Sequence, residues 1–197
     1  MTTDAPNIAL LWTDIETTGL DYDNDLILEL AWQITDFNGE PLTGVRSSIT
    51  IDHSVQPLLE QVLQRYMKAN KLVRDMHLAN GLWNDVFFNS EATRNGLFEV
   101  LDEMLTAVEE VRGDAEVRFA GSSVGFDKRF IETVYGGELP GISHRVYDLS
   151  SIRPLMLSQG IDMGEFSAEL TDGTHRAAAD VERDVTQHRG LMTSLNG

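Results

Sequence analysis

The chain has 197 residues, 42% of them apolar, a net charge of −17 and no cysteine. That length fits one domain with a real core, and the missing thiols exclude disulfides and thiolate metal sites. Acids outnumber bases 32 to 15. Polyanion binding draws on neutralised phosphates, so either the chain binds no nucleic acid or it holds a short piece at a local site with metal ions.

Residues 1–7 carry no Lys or Arg and no apolar core, and no run reaches membrane-spanning length. The expectation is a soluble, cytoplasmic protein with no membrane partner.

The first element is an apolar run, Ile8 to Trp12, followed by Thr13-Asp14-Ile15-Glu16-Thr17-Thr18-Gly19-Leu20. It reads as a strand buried on both faces. Alternate residues of a strand share a face, so Asp14 and Glu16 point the same way. Trp12 is expected on the opposite face. Two adjacent carboxylates at the end of a buried strand are costly unless a cation neutralises them, and hard divalent cations choose oxygen ligands.

A polar turn, Asp21 to Asp25, leads into a second strand, Leu26 to Asp36, with Glu29 expected in solvent or in a structural hydrogen bond. Asn38-Gly39 signals a hairpin and Val45 to Ile51 the returning strand. Val55 to His77 has helical texture, Trp83 to Phe88 is a short apolar stretch, and Ser90 with Thr93 offers helix-start chemistry for Glu91 to Val111. Glu116 to Ala120 reads as a fourth strand, Val124 to Tyr135 as a helix and Arg145 to Leu149 as a fifth strand. A helix follows to about Ser158, with Asp148 as its cap. Ile161 to Gly173 reads as irregular and Arg176 to Leu191 as the last helix. An antiparallel meander followed by alternating helices and strands predicts an α/β domain with a mixed sheet. Trp32 and Trp83 are expected in the core; His53, His144 and His188 are expected at the surface.

Asp127 follows a strand and a Gly121-Ser122-Ser123 turn. Thr174-His175-Arg176-Ala177-Ala178-Ala179-Asp180 places His and Asp five apart at a loop-to-helix junction. Each piece alone is a weak signal; in this order, on these elements, they converge on a metal site of Asp14, Glu16, Asp127 and Asp180 with His175 beside it.

These pieces resemble the three exonuclease motifs of the DnaQ-like 3′–5′ exonucleases, with the histidine spacing of the DEDDh subgroup. Asp14 to Asp21, His77 to Leu82, Gly121 to Phe130 and Arg145 to Ser150 look most like oligoribonuclease. The resemblance spans Leu10 to about Leu191. It implies a ribonuclease H-like fold over a single exonuclease domain, residues 1–197, and two-metal phosphodiester hydrolysis with Mg²⁺ or Mn²⁺. Asp14 would bridge both ions, Glu16 and Asp180 would complete the first site, and Asp127 would hold the second. His175 would be the general base. Leu20 would wedge between the last two bases, and backbone amides from Ile15 to Thr17 would hold the terminal 3′-hydroxyl. Arg145 would meet phosphate, with Ser123 and Ser150 capping the 5′ end. His77 is kept among the substrate-side candidates, although packing or capping beside Asn80-Gly81 suits it better than catalysis.

The implied substrate is a short single-stranded RNA or DNA oligonucleotide, the product a nucleoside 5′-monophosphate, and the implied assembly a homodimer. Three positions depart from the family pattern: His144 stands where a tyrosine is usual, Leu72 near the place of an aromatic, and Phe126 in place of a Gln. A DNA-directed trimming or proofreading exonuclease stays open, as does a silent nucleic-acid-binding module of the same fold.

Overall fold

A computed structural model describes residues 7–51, 56–88, 96–170 and 175–196. The strand β1 (Ile8–Thr17) lies at the centre of a five-stranded sheet, as its unbroken apolar run requires. On one side it pairs antiparallel with β2 (Ile27–Asp36), which pairs antiparallel with β3 (Arg46–Ile49). On the other side it pairs parallel with β4 (Glu116–Gly121), which pairs parallel with β5 (Ile142–Asp148). The order is β3-β2-β1-β4-β5, the mixed sheet expected of a ribonuclease H-like fold. The β1/β2 register slips between Glu16 and Thr17, so regular pairing ends immediately after the second carboxylate.

The helices are α1 (Gln56–Lys68), α2 (Lys71–Ala79), α3 (Leu82–Phe87), α4 (Leu97–Arg112), α5 (Gly125–Tyr135), α6 (Leu149–Ser158) and α7 (Ala177–Asn196). Each face of β1 builds its own core. Ala9, Leu11 and Ile15 pack with Val100, Met104 and Phe130 of α4 and α5. Leu10 and Trp12 pack with Leu149 of α6 and with Val181, Val185 and Leu191 of α7. A fully buried leucine of this kind contributes about 1.5–3 kcal/mol. A third cluster, with Leu28, Ile49, Val62, Leu82 and Trp83, seats α1 and α3 against the meander.

Several local expectations change. The stretch read as one helix through His77 is two, because Asn70 caps a new start by accepting from the Leu72 amide. Trp83 to Phe88 is mostly the helix α3, entered through Gly81 at φ 79°. The segment expected to be irregular contains a 3₁₀ helix, Met163–Ser167, packed so closely on α7 that a Cβ at Gly190 would lie 2.3 Å from Phe166. Trp12 shares the face of Asp14 and Glu16, not the opposite one: it is two residues from Asp14, and parity decides. His188 is fully buried rather than at the surface. Its Nε2–H donates to the Phe37 carbonyl at 2.9 Å and its Nδ1 accepts from the Tyr147 hydroxyl at 3.1 Å. Trp32 and Trp83 are buried as expected. His53, Thr174 and the Ser90/Thr93 start lie outside the described residues. Among the described residues no helix is long and apolar enough to cross a membrane.

Candidate metal and substrate site

The α7 face of β1 ends in Asp14 and Glu16, and α7 lays Asp180 over them. Asp180 is one turn into that helix, which Ala177 and Val181 seat flat on the sheet. One carboxylate oxygen from each of Asp14, Glu16 and Asp180 lies within 4.8 Å of the others. Burial, then repulsion by Asp127, Asp180 and Glu16, raises the Asp14 pKa well above the usual carboxylate range. Burial, then Asp180 and Glu29, pushes Glu16 up to about 9. Burial also raises Asp180, against the opposing charges of Arg183 and His175. A set of oxygen donors that resist ionisation in each other's company suits a hard divalent cation.

Asp127, in the first turn of α5, is buried on the same edge but outside that triad. Its Oδ1 accepts from the Ile15 amide at 3.0 Å. Burial pushes its pKa up to about 7 in spite of that bond. The Ile15 amide, expected to face a terminal hydroxyl, is thus already engaged. Thr17 is engaged too: its hydroxyl donates to the Gly19 carbonyl at 2.6 Å and its own carbonyl accepts from His77. His77 is a buried packing residue. Its Nε2–H donates to Thr17 at 3.0 Å, its ring lies edge-on to Trp83, and its Nδ1 stands 3.7 Å from Glu16 Oε2. That places His77 against Glu16 on the α2 side, with its buried Nδ1 making no hydrogen bond.

His175 is exposed and lies two residues before the start of α7, in the left-handed region at φ 45°. A non-glycine residue there is held by its surroundings. The hold is visible on both sides: Asn80 Nδ2 donates to the His175 carbonyl, and the next residue, Arg176, is clamped onto Glu29 and Asp85. Leu20 projects into solvent at 75% exposure from the loop after β1. A Cβ at Gly19 before it would fall 2.3 Å from the Asp25 carboxylate that closes this loop, so a side chain there would displace that carboxylate.

Ser123 and Ser150 meet at 3.1 Å between their hydroxyls, because Asp148 Oδ1 accepts from both backbone amides while it caps α6. Arg145 is not brought to the carboxylates. It sits in the β5 irregularity opposite Arg118/Phe119 and pairs with Glu116 at 3.3 Å, at the start of β4 and the far end from Gly121.

Three features were missed in the sequence. Asp184 is buried one turn after Asp180; it accepts from the Ser122 hydroxyl at 2.6 Å and from Arg153 at 2.9 Å. Arg183 pairs with both Asp180 and Asp184. Arg176 joins Glu29 to Asp85. Only the i, i+4 spacing of Asp180 and Asp184 could have flagged the first.

No family model matches the chain. A protein of Streptomyces griseus named oligoribonuclease is 29% identical over 186 residues, covering 93% of this chain and 84% of that one. A mitochondrial oligoribonuclease of Saccharomyces cerevisiae is 26% identical over 184 residues, 93% of this chain and 66% of its own. Among solved structures, an E. coli exonuclease I complex with single-stranded DNA and zinc overlays with a TM-score of 0.66 at 12% identity. Exonuclease I of Methylocaldum szegediense overlays with 0.57 at 16%. These overlays cover 96% and 95% of this chain but only 41% and 42% of the exonucleases, and they establish the fold. Sequence relatives and fold agree: the chain is similar in sequence to proteins named oligoribonuclease and in fold to exonuclease I.

Proposed function

We propose that the protein is a metal-dependent 3′–5′ exonuclease that shortens single-stranded oligoribonucleotides from the 3′ end, releasing nucleoside 5′-monophosphates. The observation that supports it most is the convergence of Asp14, Glu16 and Asp180 from distant parts of the chain into one oxygen-only cluster. Asp14, Glu16 and Asp180 would hold one Mg²⁺ or Mn²⁺ ion, and Asp14 with Asp127 a second. When bound, the ions supply an acidified water and offset the charge on the phosphoryl oxygens.

The protein's own residues do the rest. His175, exposed and held at the mouth of the cluster, accepts the proton of the attacking water at its imidazole. Leu20 separates the terminal base from its neighbour. The Ser123–Ser150 hydroxyl pair presents donors at the β4/β5 edge of the site. Arg145, tied to the far end of β4, contributes to the site of a second copy rather than to its own. That fits the homodimer this proposal includes: β5 is the sheet edge and leaves His144, Arg145 and Val146 exposed. A single-domain chain and a cytoplasmic location belong to the same proposal.

The test is hydrolysis of 5′-labelled RNA and DNA oligomers with Mg²⁺ or Mn²⁺, with light scattering on the same sample. A ladder shortening from the 3′ end, faster on RNA, is expected. DNA cut faster than RNA overturns the sugar assignment. Intact oligomers throughout overturn the enzyme.

A further inference from the structure

The carboxylates of the site differ in one respect. Among the described residues, Asp14, Glu16 and Asp127 form no ion pair with an arginine or a lysine, whereas Asp180 has Arg183 from the next turn of α7. Arg183 Nη1 donates to Asp180 Oδ1, one of only two oxygens this residue can offer an ion. Its Nη2 and Nε reach Asp184 Oδ1 at 3.3 and 3.4 Å. The guanidinium therefore bridges a member of the cluster and a carboxylate outside it.

Asp184 does not depend on this arginine. Its Oδ2 accepts from the Ser122 hydroxyl at 2.6 Å and its Oδ1 from Arg153 at 2.9 Å, both shorter than the bonds from Arg183. It is buried and held from α6 and from the turn after β4, so it is a fixed anchor. The Arg183 side chain is about a third exposed. Its head can leave Asp180 by side-chain rotation alone, with water on one side and Asp184 on the other. A guanidinium and a divalent ion compete for the same carboxylate lone pairs, and they repel each other with twice the energy of a unit-charge pair. The ion gains Asp14 and Glu16 as further donors, with which Arg183 makes no ion pair.

We propose that Arg183 is a tethered counter-ion of the metal site: it occupies Asp180 until a divalent ion displaces it onto Asp184, and so it sets the metal concentration at which the site fills. The inference rests on the metal site proposed above and concerns how that site is loaded. The opposite role, a guanidinium that stays on Asp180 and orients it for the ion, carries the opposite sign, because losing such a support weakens metal binding roughly 10- to 100-fold.

The experiment titrates the full chain with Mn²⁺, reading the free ion by electron paramagnetic resonance, for wild type, Arg183→Gln, Arg183→Met, Arg183→Lys and Arg189→Gln. Arg189 lies on the same helix, bonded to the Gly39 carbonyl at 2.7 Å, so its variant removes the same charge away from the cluster. Thermal melts without metal check folding, and the Gln and Met variants test the same loss with a polar and an apolar side chain. Both should lower the Mn²⁺ Kd about tenfold, the size left to a unit charge beside a divalent ion once solvent screens it. Arg183→Lys and Arg189→Gln should stay near the wild-type Kd. A Kd unchanged or raised in Arg183→Gln and Arg183→Met, or lowered equally in Arg183→Lys or Arg189→Gln, overturns the counter-ion. The expected order of Kd values without hydrolysis of any oligomer overturns the enzyme and leaves the counter-ion standing. A set of proteins that binds no Mn²⁺ overturns both.

Discussion

Glu16 and Glu29 face each other across the β1/β2 ladder, are buried to 7% and 4% exposure, and have opposite fates. Glu29 receives a fixed cation: Arg176 donates to both its oxygens at 2.9 and 3.0 Å, and the Ala177 amide adds a third bond at 3.1 Å. Glu16 receives a neutral histidine at 3.7 Å and the repulsion of Asp180 and Glu29, and its pKa rises to about 9. Like charges directly opposite on a sheet repel. The fold resolves one of them internally, and in the proposed function a divalent cation resolves the other. A buried carboxylate with a bidentate arginine is a structural part; one whose charge is held off by its neighbours is a binding part.

Removing Asp14 is the strongest way to break this contrast. Asp14→Asn should lower hydrolysis on the order of 10³-fold or more, by analogy with deleting a group that stabilises transition-state charge. It should leave the fold intact, because a repelled carboxylate is lost. Mn²⁺ should raise the melting temperature of the wild type, by about 2.7 kcal/mol of stabilisation at a hundredfold excess over its Kd, and not that of the variant. Wild-type hydrolysis by Asp14→Asn would remove it from the site.

Arg176→Met tests the other half. Breaking a buried ion pair from one side costs about 3–5 kcal/mol. The loss should appear in denaturant unfolding with metal absent, and Glu29→Gln added to the variant should recover part of it. A stability change under 1 kcal/mol would mean that Glu29 is no more compensated than Glu16.

The smallest effect sharpens the comparison through pH. The folded pKa of Glu16, about 9, lies above its unfolded value near 4.5, and that of Asp127, about 7, above 3.8. Groups raised in the folded state favour folding at low pH and lose that contribution as pH rises. The melting temperature of metal-free protein should therefore decline between about pH 4.5 and 9, and Glu16→Gln should flatten the upper part of the decline. Metal binding, which displaces those protons, should tighten over the same range. A metal-free melting temperature that climbs through this window contradicts the assignment.

Much of the fold was legible because it rests on local rules. The five strands, the antiparallel meander of the first three and the mixed sheet follow from apolar runs, the Asn38-Gly39 turn and the helices between later strands; the place of β4 beside β1 does not. The break at Asn70 was not, since a cap inside a continuous helical pattern shows itself only when the chain turns there. In the site, the bond from the Ile15 amide to Asp127 was not legible for the same reason that Asp184 was missed. Backbone amides and helix-borne acids find their partners through packing, as with Asp127 and Ile15, 112 residues apart.

The sequence by itself determined which side chains are candidates for the chemistry, their order, and that Asp14 and Glu16 share a face, because strand alternation is a property of the covalent chain. Only the tertiary structure decided that Asp180 closes the cluster, that Arg176 goes to Glu29 and not to Glu16, and that Arg145 stays at the far end of β4. Those outcomes join residues as far apart in the chain as Asp14 and Asp180, and the choice of partner for a buried charge is made by the competition of every other charge packed within its reach.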